Sequence, residues 1–260
     1  MNMFKKYSVM GILNITPDSF SDGGEFLNSE TAIKYALKME SDGADIIDVG
    51  AQSTRPGAVI ISPDEEIKRL DPVLKEITKQ VKIPVSVDTF YSETTEFALK
   101  NGAKIINDVS GKFNRKIAEL IKENNAGWIV MHNDKIENNS VEAVKNFFES
   151  FLKKAENFGI KKEQLCFDVG IGFNKTVEQN LALVKGCGKT KIEGCKLLIG
   201  ASRKSFIGKT ADIENPKDRL PGTVAAHTIA IMSGADIIRV HDVPEAVQAV
   251  KIIKAVNEIG

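Results

Sequence analysis

The sequence predicts an α/β protein in which eight short strands alternate with eight helices in a single domain over residues 1–260. Three copies of a Gly-Ala-x-Ile-Ile unit, at 43–47, 102–106 and 234–238, each follow a stretch with helical periodicity. In each copy the glycine is placed to end a helix and the apolar pair to begin a strand, which is the junction of an α/β repeat. Parallel units in that number, without a composition shift between them, favour a closed (β/α)8 TIM barrel, a fold of about 250 residues.

The individual elements follow from apolar runs and amphipathic stretches. Short, mainly apolar runs predict strands near Ser8–Leu13, Asp45–Val49, Val85–Asp88, Lys104–Asn107, Trp128–Met131, Leu165–Asp168, Lys196–Ile199 and Ile237–Val240. Helical periodicity predicts helices at Ser29–Ser41, Pro63–Gln80, Ser92–Asn101, Arg115–Asn124, Ser140–Phe158, Thr176–Lys185, Asp218–Ser233 and Pro244–Glu258. Ser62 or Pro63 is expected to begin the second helix, and Ser92 to cap the third.

Bulk composition indicates a globular protein in a reducing compartment. Hydrophobic residues make up 42% and charged residues 27% of the chain, close to the average for soluble domains. The 35 basic residues balance the 35 acidic ones, so no net field attracts nucleic acid or an anionic membrane. The three cysteines form no CxxC pair, which argues against a disulfide framework or a zinc site. Since no run approaches the roughly 20 apolar residues of a membrane helix, we expect a cytoplasmic protein without nucleic-acid or membrane partners.

Three acceptor side chains end three predicted strands: Asp88, Asn107 and Asp168. Asp48, Asn107 and Arg239 also follow directly on the three repeated units. In a closed barrel the active site lies at the C-terminal ends of the strands, so these side chains are expected around one cavity. There they suit a flat heterocycle with several N–H and amide edges. Each residue alone can instead cap the next helix.

Cationic residues gather near other strand ends, at Arg55, Arg203, Lys204, Arg239 and His241. On a chain without net charge, this grouping indicates an anionic substrate group, with phosphate or pyrophosphate as the first candidate. Loops after the seventh and eighth strands commonly bind phosphate in this fold. The alternative is that the cations form structural ion pairs with Asp236, Asp242 or other acids, and that His241 is a structural hydrogen-bonding histidine.

Asn14 follows the first apolar strand and precedes a loop rich in Pro, Gly and Asp. An oxygen ligand there, beside a pyrophosphate, suits Mg2+, which keeps several waters and takes few protein ligands. The histidines at 132, 227 and 241 lack paired metal-ligand spacing, and the glycines at 170 and 172 lack the third glycine of a dinucleotide fingerprint. Mg2+ is therefore the expected cofactor.

Seven motifs occur in order along nearly the whole chain, at Met10–Gly24, Ser53–Ala58, Val85–Thr89, Asn107–Gly111, Asp168–Phe173, Ser202–Gly208 and Arg239–His241. Together they resemble the motifs of dihydropteroate synthases, which are pterin-binding enzymes. The runs 53–58 and 202–208 are the most specific. The resemblance implies a transferase of folate biosynthesis that joins a pterin pyrophosphate to p-aminobenzoate. It also implies a homodimer and a target of sulfonamides.

The resemblance further implies where each substrate binds. The pterin ring is expected at Asp88, Asn107, Met131, Asp168 and Lys204. The pyrophosphate is expected at Asn14, Thr54, Arg239 and His241, with Mg2+ at Asn14 beside Thr54. p-Aminobenzoate is expected at Arg55, Pro56, Phe173, Lys204 and Ser205. The expected catalytic residues are Asp18, Thr54, Arg55 and Lys204, with Asp18 ordering the first loop and balancing positive charge near the reacting carbon.

The implied reaction is the departure of pyrophosphate from the pterin methyl carbon and the capture of a cation-like pterin by the arylamine. It needs stabilisation of the leaving group's charge and shelter from water, and it needs no nucleophilic side chain. The loops Thr16–Asn28 and Ala51–Ser62 are rich in Gly, Pro, Ser and Asp, which is typical of mobile functional loops. Their closure is expected to supply the shelter.

The chain departs from the usual pattern at three single positions. Gln52 stands where a glutamate is common, Val169 where a proline is common and Asn174 where a glycine is common, and the stretch after His132 lacks the usual Met- and Pro-containing loop. These departures bear on loop geometry and leave the expected ligands intact.

Two other functions fit parts of the pattern. The first is a methyltransferase that passes the methyl group of methyltetrahydrofolate to a corrinoid protein, which has a similar barrel and pterin pocket. The second is a non-catalytic pterin-binding module, since fold alone does not establish activity. The runs 53–58 and 202–208 argue against the first, because methyl transfer has no pyrophosphate to bind. The presence of Asn14, Thr54, Arg55, Lys204 and Arg239 argues against the second.

Overall fold

The computed structural model describes residues 3–15, 25–53 and 59–259, with only the backbone at 25–28. Eight parallel strands close into a barrel in chain order, which confirms the predicted fold class. They are β1 (Ser8–Asn14), β2 (Ile46–Gly50), β3 (Val85–Asp88), β4 (Ile105–Asp108), β5 (Gly127–Met131), β6 (Leu165–Asp168), β7 (Lys196–Ile199) and β8 (Ile237–Val240). The barrel closes where β1 pairs with β8 and Met10 lies opposite Arg239.

Nine α-helices occur in the described ranges, one more than the sequence predicts. They are α1 (Glu25–Ser41), α2 (Pro63–Gln80), α3 (Ser92–Lys100), α4 (Arg115–Glu123), α5 (Ser140–Phe158), α6 (Val177–Gly186), α7 (Ser205–Ala211), α8 (Leu220–Met232) and α9 (Val243–Glu258). The additional helix is α7, between β7 and α8. It has seven residues, about two turns, which is too short to show a repeating apolar pattern.

One of the predicted helix caps is right and one is wrong. Ser62 caps α2 and accepts a hydrogen bond from the backbone N–H of Glu65 at 3.3 Å. Ser92 does not cap α3, because Tyr91 occupies the cap position without a side-chain bond. The Tyr91 carbonyl already accepts from the backbone N–H of Thr95 at 3.0 Å, so the helix begins one residue earlier than the serine preference suggests.

The repeated Gly-Ala-x-Ile-Ile unit forms the predicted junction between helix and strand. Its glycines at 43, 102 and 234 have φ of 100°, 96° and 117°, a region that a side chain disfavours. The left-handed residue stops the helix and turns the chain back to the barrel. Each strand therefore starts at a fixed distance from the glycine, and the polar residue that follows its apolar pair reaches the C-terminal mouth.

The barrel interior has an apolar floor beneath a polar layer. The floor is a buried cluster of Phe4, Met10, Ile46, Ile105, Ile129, Cys166, Leu198 and Ile237. Alternate residues of a strand face the same side, so the position two residues after each floor residue also faces inward. Those positions hold Asp48, Asn107, Met131, Asp168 and Arg239 among others. A larger apolar cluster fills the space between the strands and the helices.

The cysteines are buried and unreactive in the described structure. Cys166, Cys187 and Cys195 are all free thiols. Burial raises the pKa of Cys187 to about 11 and that of Cys195 to about 12, so neither thiolate forms readily.

Across the described helices, none is long and apolar enough to cross a membrane.

Candidate functional site

Arg239 and Asp48 are at the centre of the polar layer. The Arg239 Nε donates to Asp48 Oδ2 at 2.7 Å, and its Nη2 donates to Asp88 Oδ2 at 3.0 Å. Asn107 Nδ2 donates to the same Asp48 oxygen at 3.0 Å. Side chains from β2, β3, β4 and β8 are thus joined in one network, although they lie up to 191 residues apart in sequence.

The carboxylates of this network are buried and only partly satisfied. Asp48 is fully buried and Asp88 is 6% exposed. Burial raises the pKa of Asp88 to about 7, against the opposing effect of Arg239. Burial alone lowers the pKa of Arg239, but Asp48 and Asp88 outweigh it and raise that pKa. The Oδ1 atoms of both aspartates have no hydrogen-bond partner among the described residues, so two acceptors remain for a ligand.

Asp168 lies across the barrel mouth at the end of β6. Its Oδ1 accepts from the Gly170 backbone N–H at 2.8 Å. Burial raises the pKa of Asp168, and the nearby Lys204 opposes that rise. In the described structure none of Asp88, Asn107 and Asp168 caps a helix, so the capping alternative does not account for them.

Lys204 reaches into the mouth from the turn before α7. Its Nζ donates to the Ile171 carbonyl and lies 4.5 Å from the centre of the Phe173 ring. Burial lowers the pKa of Lys204 to about 8, while Asp168 acts in the opposite direction. Gly172 permits this approach, because a Cβ there would lie 2.9 Å from Lys204 Cδ. Ser205 follows as the exposed first residue of α7. The predicted neighbours Phe173, Lys204 and Ser205 therefore lie together.

The remaining cations divide between structural and site roles. Arg203 Nε donates to Asp242 at 3.0 Å, so the ion-pair alternative describes Arg203. Asp236 pairs instead with Lys191, at 2.8 Å, at the opposite end of the barrel. His241 Nδ1 lies 2.9 Å from the Ser202 hydroxyl, which also accepts from the His241 backbone N–H at 3.2 Å. The hydroxyl fixes the imidazole beside β8, near the end that carries Arg239.

Several other predicted residues have defined places. Met131 is buried at the end of β5 and lies opposite Asp168 in the strand register. Asn14 ends β1 opposite Gly50, and its Oδ1 lies 3.5 Å from where a Cβ of residue 50 would be. The predicted residues Asp18, Thr54, Arg55 and Pro56 lie outside the described residues.

A family model described as a pterin binding enzyme matches residues 10–241. A dihydropteroate synthase of Synechocystis sp. is 44% identical over 261 aligned residues, which cover 96% of this chain and 90% of that protein. That of Bacillus subtilis is 41% identical and covers 98% of this chain and 90% of its own length. The chain belongs to the dihydropteroate synthase family. The resemblance of the seven motifs is thereby confirmed.

Solved dihydropteroate synthases share the fold over almost the whole chain. The Clostridium difficile enzyme, crystallised in the presence of pteroic acid, has a TM-score of 0.92 at 42% identity and covers 98% of each chain. The Xanthomonas albilineans enzyme with 4-aminobenzoic acid has a TM-score of 0.92 at 37% identity, covering 97% of this chain and 94% of that one. The Yersinia pestis enzyme, solved with a sulfonamide drug complex, has a TM-score of 0.89 at 35% identity. The match covers 97% of this chain and 95% of that one.

One residue of this dihydropteroate synthase site was missed, and another was placed at the barrel mouth without a substrate. Asp48 was expected around the cavity because it follows the first repeated unit as Asn107 and Arg239 follow the others, but no ligand was assigned to it. Lys175 donates to the carbonyls of His132 at 3.1 Å and Phe173 at 3.0 Å. Burial lowers the pKa of Lys175 to about 8, and Asp168 opposes the change. No sequence pattern singles out Lys175, because it lies in an irregular turn.

The described residues offer few protein donors for a metal ion. They contain no group of three or more His, Cys, Asp or Glu side chains that could hold a metal ion. Asp48 and Asp88 both form ion pairs with Arg239. The Asn14 amide oxygen is therefore the neutral metal ligand that the described residues offer at the mouth. A cation held mainly by water and substrate phosphates fits this donor set, and a cation bound by protein carboxylates alone does not.

Proposed function

We propose that this transferase joins 6-hydroxymethyl-7,8-dihydropterin pyrophosphate to p-aminobenzoate, giving 7,8-dihydropteroate and pyrophosphate in folate biosynthesis. The observation that carries the proposal is the buried polar layer, in which unsatisfied carboxylate oxygens lie beside the fixed guanidinium of Arg239. A Xanthomonas albilineans relative has been solved in complex with 7,8-dihydropteroate, which supports the same product here.

The pterin ring is proposed to bind against Asp168, Asn107 and Asp88. The ring presents an amino group and N–H donors on one edge, and buried carboxylates are strong acceptors for such donors. Lys204 is proposed to donate to the ring's carbonyl oxygen, giving up its bond to the Ile171 carbonyl. Met131 would pack on the ring face. Because the unpartnered Oδ1 of Asp88 would gain a donor, a pterin fits this cavity better than an apolar ring.

The pyrophosphate is proposed to bind at Arg239, Asn14 and His241, with Thr54. Asp48 and Asp88 hold the Arg239 guanidinium through Nε and Nη2, and no described residue bonds to its Nη1. A guanidinium fixed in this way can donate its remaining N–H groups to phosphate without reorganising. It therefore stabilises the negative charge that grows on the leaving pyrophosphate.

Mg2+ is proposed to accompany the pyrophosphate, with Asn14 and Thr54 as its protein ligands. When bound, it would neutralise part of the pyrophosphate charge and so assist departure. Because the described site holds no carboxylate cluster for a metal, chelation should abolish turnover without lowering the melting temperature of the substrate-free protein. Calorimetry with and without EDTA measures this, and a lower melting temperature in EDTA would contradict it.

p-Aminobenzoate is proposed to bind at Phe173, Lys204 and Ser205, together with Arg55 and Pro56. The Lys204 ammonium group is 4.5 Å from the centre of the Phe173 ring and interacts electrostatically with Asp168, so it can contact both substrates. In the reaction the carbon–oxygen bond breaks with both electrons going to pyrophosphate. The amine then forms the carbon–nitrogen bond and releases a proton to solvent. The side chains orient the substrates and exclude water, and Asp18, Thr54, Arg55 and Lys204 are proposed to stabilise charge at this step.

The direct test follows pyrophosphate and dihydropteroate release from purified protein, both substrates and Mg2+. We expect product only with all three components, and its loss in Lys204→Ala and Asp168→Asn. Lys209→Ala changes an exposed lysine of α7 and is the matched control, which should retain activity. Binding of the pterin pyrophosphate without product would favour a non-catalytic module, and absence of pterin binding would contradict the assignment.

A homodimer in a reducing cytoplasm is also proposed. Three free, buried cysteines suit a reducing compartment. On the outer surface, Ile229 and Met232 of the uncharged helix α8 are 49% and 55% exposed. Apolar side chains exposed on a helix without charges are typical of a subunit contact. Light scattering should give a dimer mass, reduced to the monomer mass in Ile229→Glu; a monomeric wild-type protein would contradict the proposal.

A further inference from the structure

Glu66 is a fully buried carboxylate in the first turn of α2. Its Oε1 accepts from Gln52 Nε2 at 2.9 Å, and its Oε2 accepts from the Thr89 hydroxyl at 2.6 Å. Among the described residues, no direct hydrogen bond joins it to the polar layer of Asp48, Asp88 and Arg239. A buried charge is costly unless it is well bonded, so this carboxylate needs an explanation that the pterin site does not supply.

The bonds around Glu66 fix both ends of the segment between β2 and α2. At its start, Gln52 bonds to Glu66, and Arg69 Nη1 donates to the Ala51 carbonyl at 3.1 Å. At its end, the Tyr91 hydroxyl donates to the Ile61 carbonyl at 2.7 Å. The Tyr91 backbone N–H in turn donates to the Thr89 hydroxyl at 3.2 Å.

The same network is connected to the end of β3. Thr89 directly follows Asp88, and its backbone N–H donates to the Asn107 carbonyl at 3.1 Å. One hydroxyl therefore links Glu66 to the strand ends that carry two proposed pterin ligands. Thr54 and Arg55 lie two and three positions after Gln52 in the sequence, so the place of Gln52 limits where they can reach.

The network depends on the ionised form of Glu66. Both of its oxygens accept, and an O–H···O distance of 2.6 Å is typical of a bond to a charged acceptor. Burial raises the pKa of Glu66, while hydrogen bonds from Thr89 and Gln52 and the charge of Arg69 favour ionisation. The other titratable groups that sense this carboxylate are Asp88 and Tyr91.

Gln52 has no second anchor in the described structure. Its Oε1 is buried and has no hydrogen-bond partner among the described residues. The single bond from Nε2 to Glu66 thus decides how this side chain lies. Removing the Glu66 charge leaves the start of the segment held by the Arg69 bond alone.

We propose that Glu66 is a positioning residue, which holds Gln52 and Thr89 and so sets the start of the β2–α2 segment against the Asp88 end of β3. The consequence rests on the proposed function: the residues after Gln52 include Thr54, Arg55 and Pro56, which are proposed to bind the pyrophosphate and p-aminobenzoate, so the effect falls on these two groups more than on the pterin ring. Glu66 contacts neither substrate and acts through Gln52.

Glu66→Gln tests this by comparing the KM for p-aminobenzoate with the Kd for hydroxymethyl dihydropterin, a pterin without the pyrophosphate. The new amide presents N–H groups to one of two donors, so one bond must break. We expect the KM for p-aminobenzoate to rise about tenfold, the size expected for losing one charge-assisted bond, while the Kd for hydroxymethyl dihydropterin stays within about threefold. Glu76→Gln removes an exposed carboxylate of the same helix and should change neither constant. Equal rises in both constants, or no change in either, would overturn the proposal.

Gln52→Ala gives a second test that does not require loss of Glu66. It removes the amide that donates to Glu66, so the Arg69 bond to the Ala51 carbonyl is left to hold the start of the segment. The KM for p-aminobenzoate should rise about tenfold, as in Glu66→Gln. A wild-type KM in a folded Gln52→Ala protein would contradict the positioning role, even if Glu66→Gln fails to fold.

Hydrogen exchange separates this proposal from the assigned reaction, because it needs no substrate. Backbone amides of residues 51–62 should exchange about tenfold faster in Glu66→Gln than in wild type or Glu76→Gln. If wild type makes no dihydropteroate but the exchange rates change as expected, the reaction is wrong and the positioning role holds. Unchanged exchange in a folded Glu66→Gln protein overturns the positioning role, whatever the activity.

Discussion

Replacing Asp48 by asparagine removes the carboxylate that orients Arg239. Asp48 is fully buried, and its Oδ2 accepts from both Arg239 Nε at 2.7 Å and Asn107 Nδ2 at 3.0 Å. An asparagine can keep its oxygen towards these donors, but the bonds lose their charge. Its amide group then takes the place of Asp48 Oδ1, an acceptor that the described residues leave unpartnered.

The expected cost follows from the geometry of the pair. Breaking a fully buried ion pair costs about 3–5 kcal/mol, and a hydrogen bond to a charged group contributes about 1.5–3 kcal/mol. Arg239 keeps its bond to Asp88 and its side chain is 20% exposed, so the lower range applies. We expect a loss of about 2 kcal/mol in unfolding free energy, which lowers the melting temperature by about 4–8 °C in a protein of this size.

Calorimetry and steady-state kinetics test this together. The KM for the pterin pyrophosphate should rise about tenfold, since 1.4 kcal/mol of lost binding corresponds to about that factor. Asp236→Asn is the matched control, because Asp236 is equally buried but accepts from Lys191 and the Leu197 backbone at the other end of the barrel. It should lose similar stability and keep the wild-type KM. An Asp48→Asn protein with wild-type melting and kinetics would refute the reasoning.

Three further predictions concern pH and backbone space. Burial raises the folded-state pKa of Asp88 to about 7, so the protonated side chain contributes fully to stability below about pH 4, and this contribution is lost as the pH rises towards 7. In urea unfolding, the unfolding free energy of Asp88→Asn should therefore fall less between about pH 4 and 7 than that of wild type. An equal fall in both proteins would contradict this. The Lys204 pKa is about 8, so kcat/KM should fall above that pH, and Lys204→Arg should remove this fall from the pH profile even if it lowers activity. Gly170→Ala should lower the unfolding free energy by more than about 3 kcal/mol, because φ is +70° and a Cβ would overlap the His132 carbonyl oxygen. In Gly200→Ala the new Cβ would lie 3.8 Å from its nearest neighbour, so this control should unfold thermally like wild type.

The strands were predicted almost to the residue because their sequences satisfy two independent requirements. The runs at 85–88, 165–168, 196–199 and 237–240 are short and mainly apolar, and the last three also follow closely on a glycine, at 159, 194 and 234, so pattern and punctuation agree. Helix α7 lacked both signals. The mistaken cap at Ser92 has a different cause: cap preference is a statistical property of the residue, whereas the start of α3 is set by the Tyr91 carbonyl.

The site was predicted where strand ends carry polar residues, and it was missed where partners come from distant parts of the chain. Asp88, Asn107 and Asp168 were identifiable because Asp88 and Asp168 end their strands and Asn107 is the penultimate residue of β4. The pairing of Arg239 with Asp48 joins residues 191 apart, and only closure of the barrel between β1 and β8 brings them together. Glu66 looked like an ordinary acidic residue of a first helical turn, since its burial depends on packing against β3.

The most direct test compares binding of the pterin pyrophosphate with binding of the corresponding hydroxymethyl dihydropterin, by calorimetry. If acceptors hold the ring and Arg239 holds the pyrophosphate, Asp168→Asn should weaken both ligands by about tenfold or more. Arg239→Lys keeps the charge but loses the paired geometry, so it should weaken only the pyrophosphate ligand. Equal weakening of both ligands by Arg239→Lys, or unchanged binding in Asp168→Asn, would contradict this division of the site.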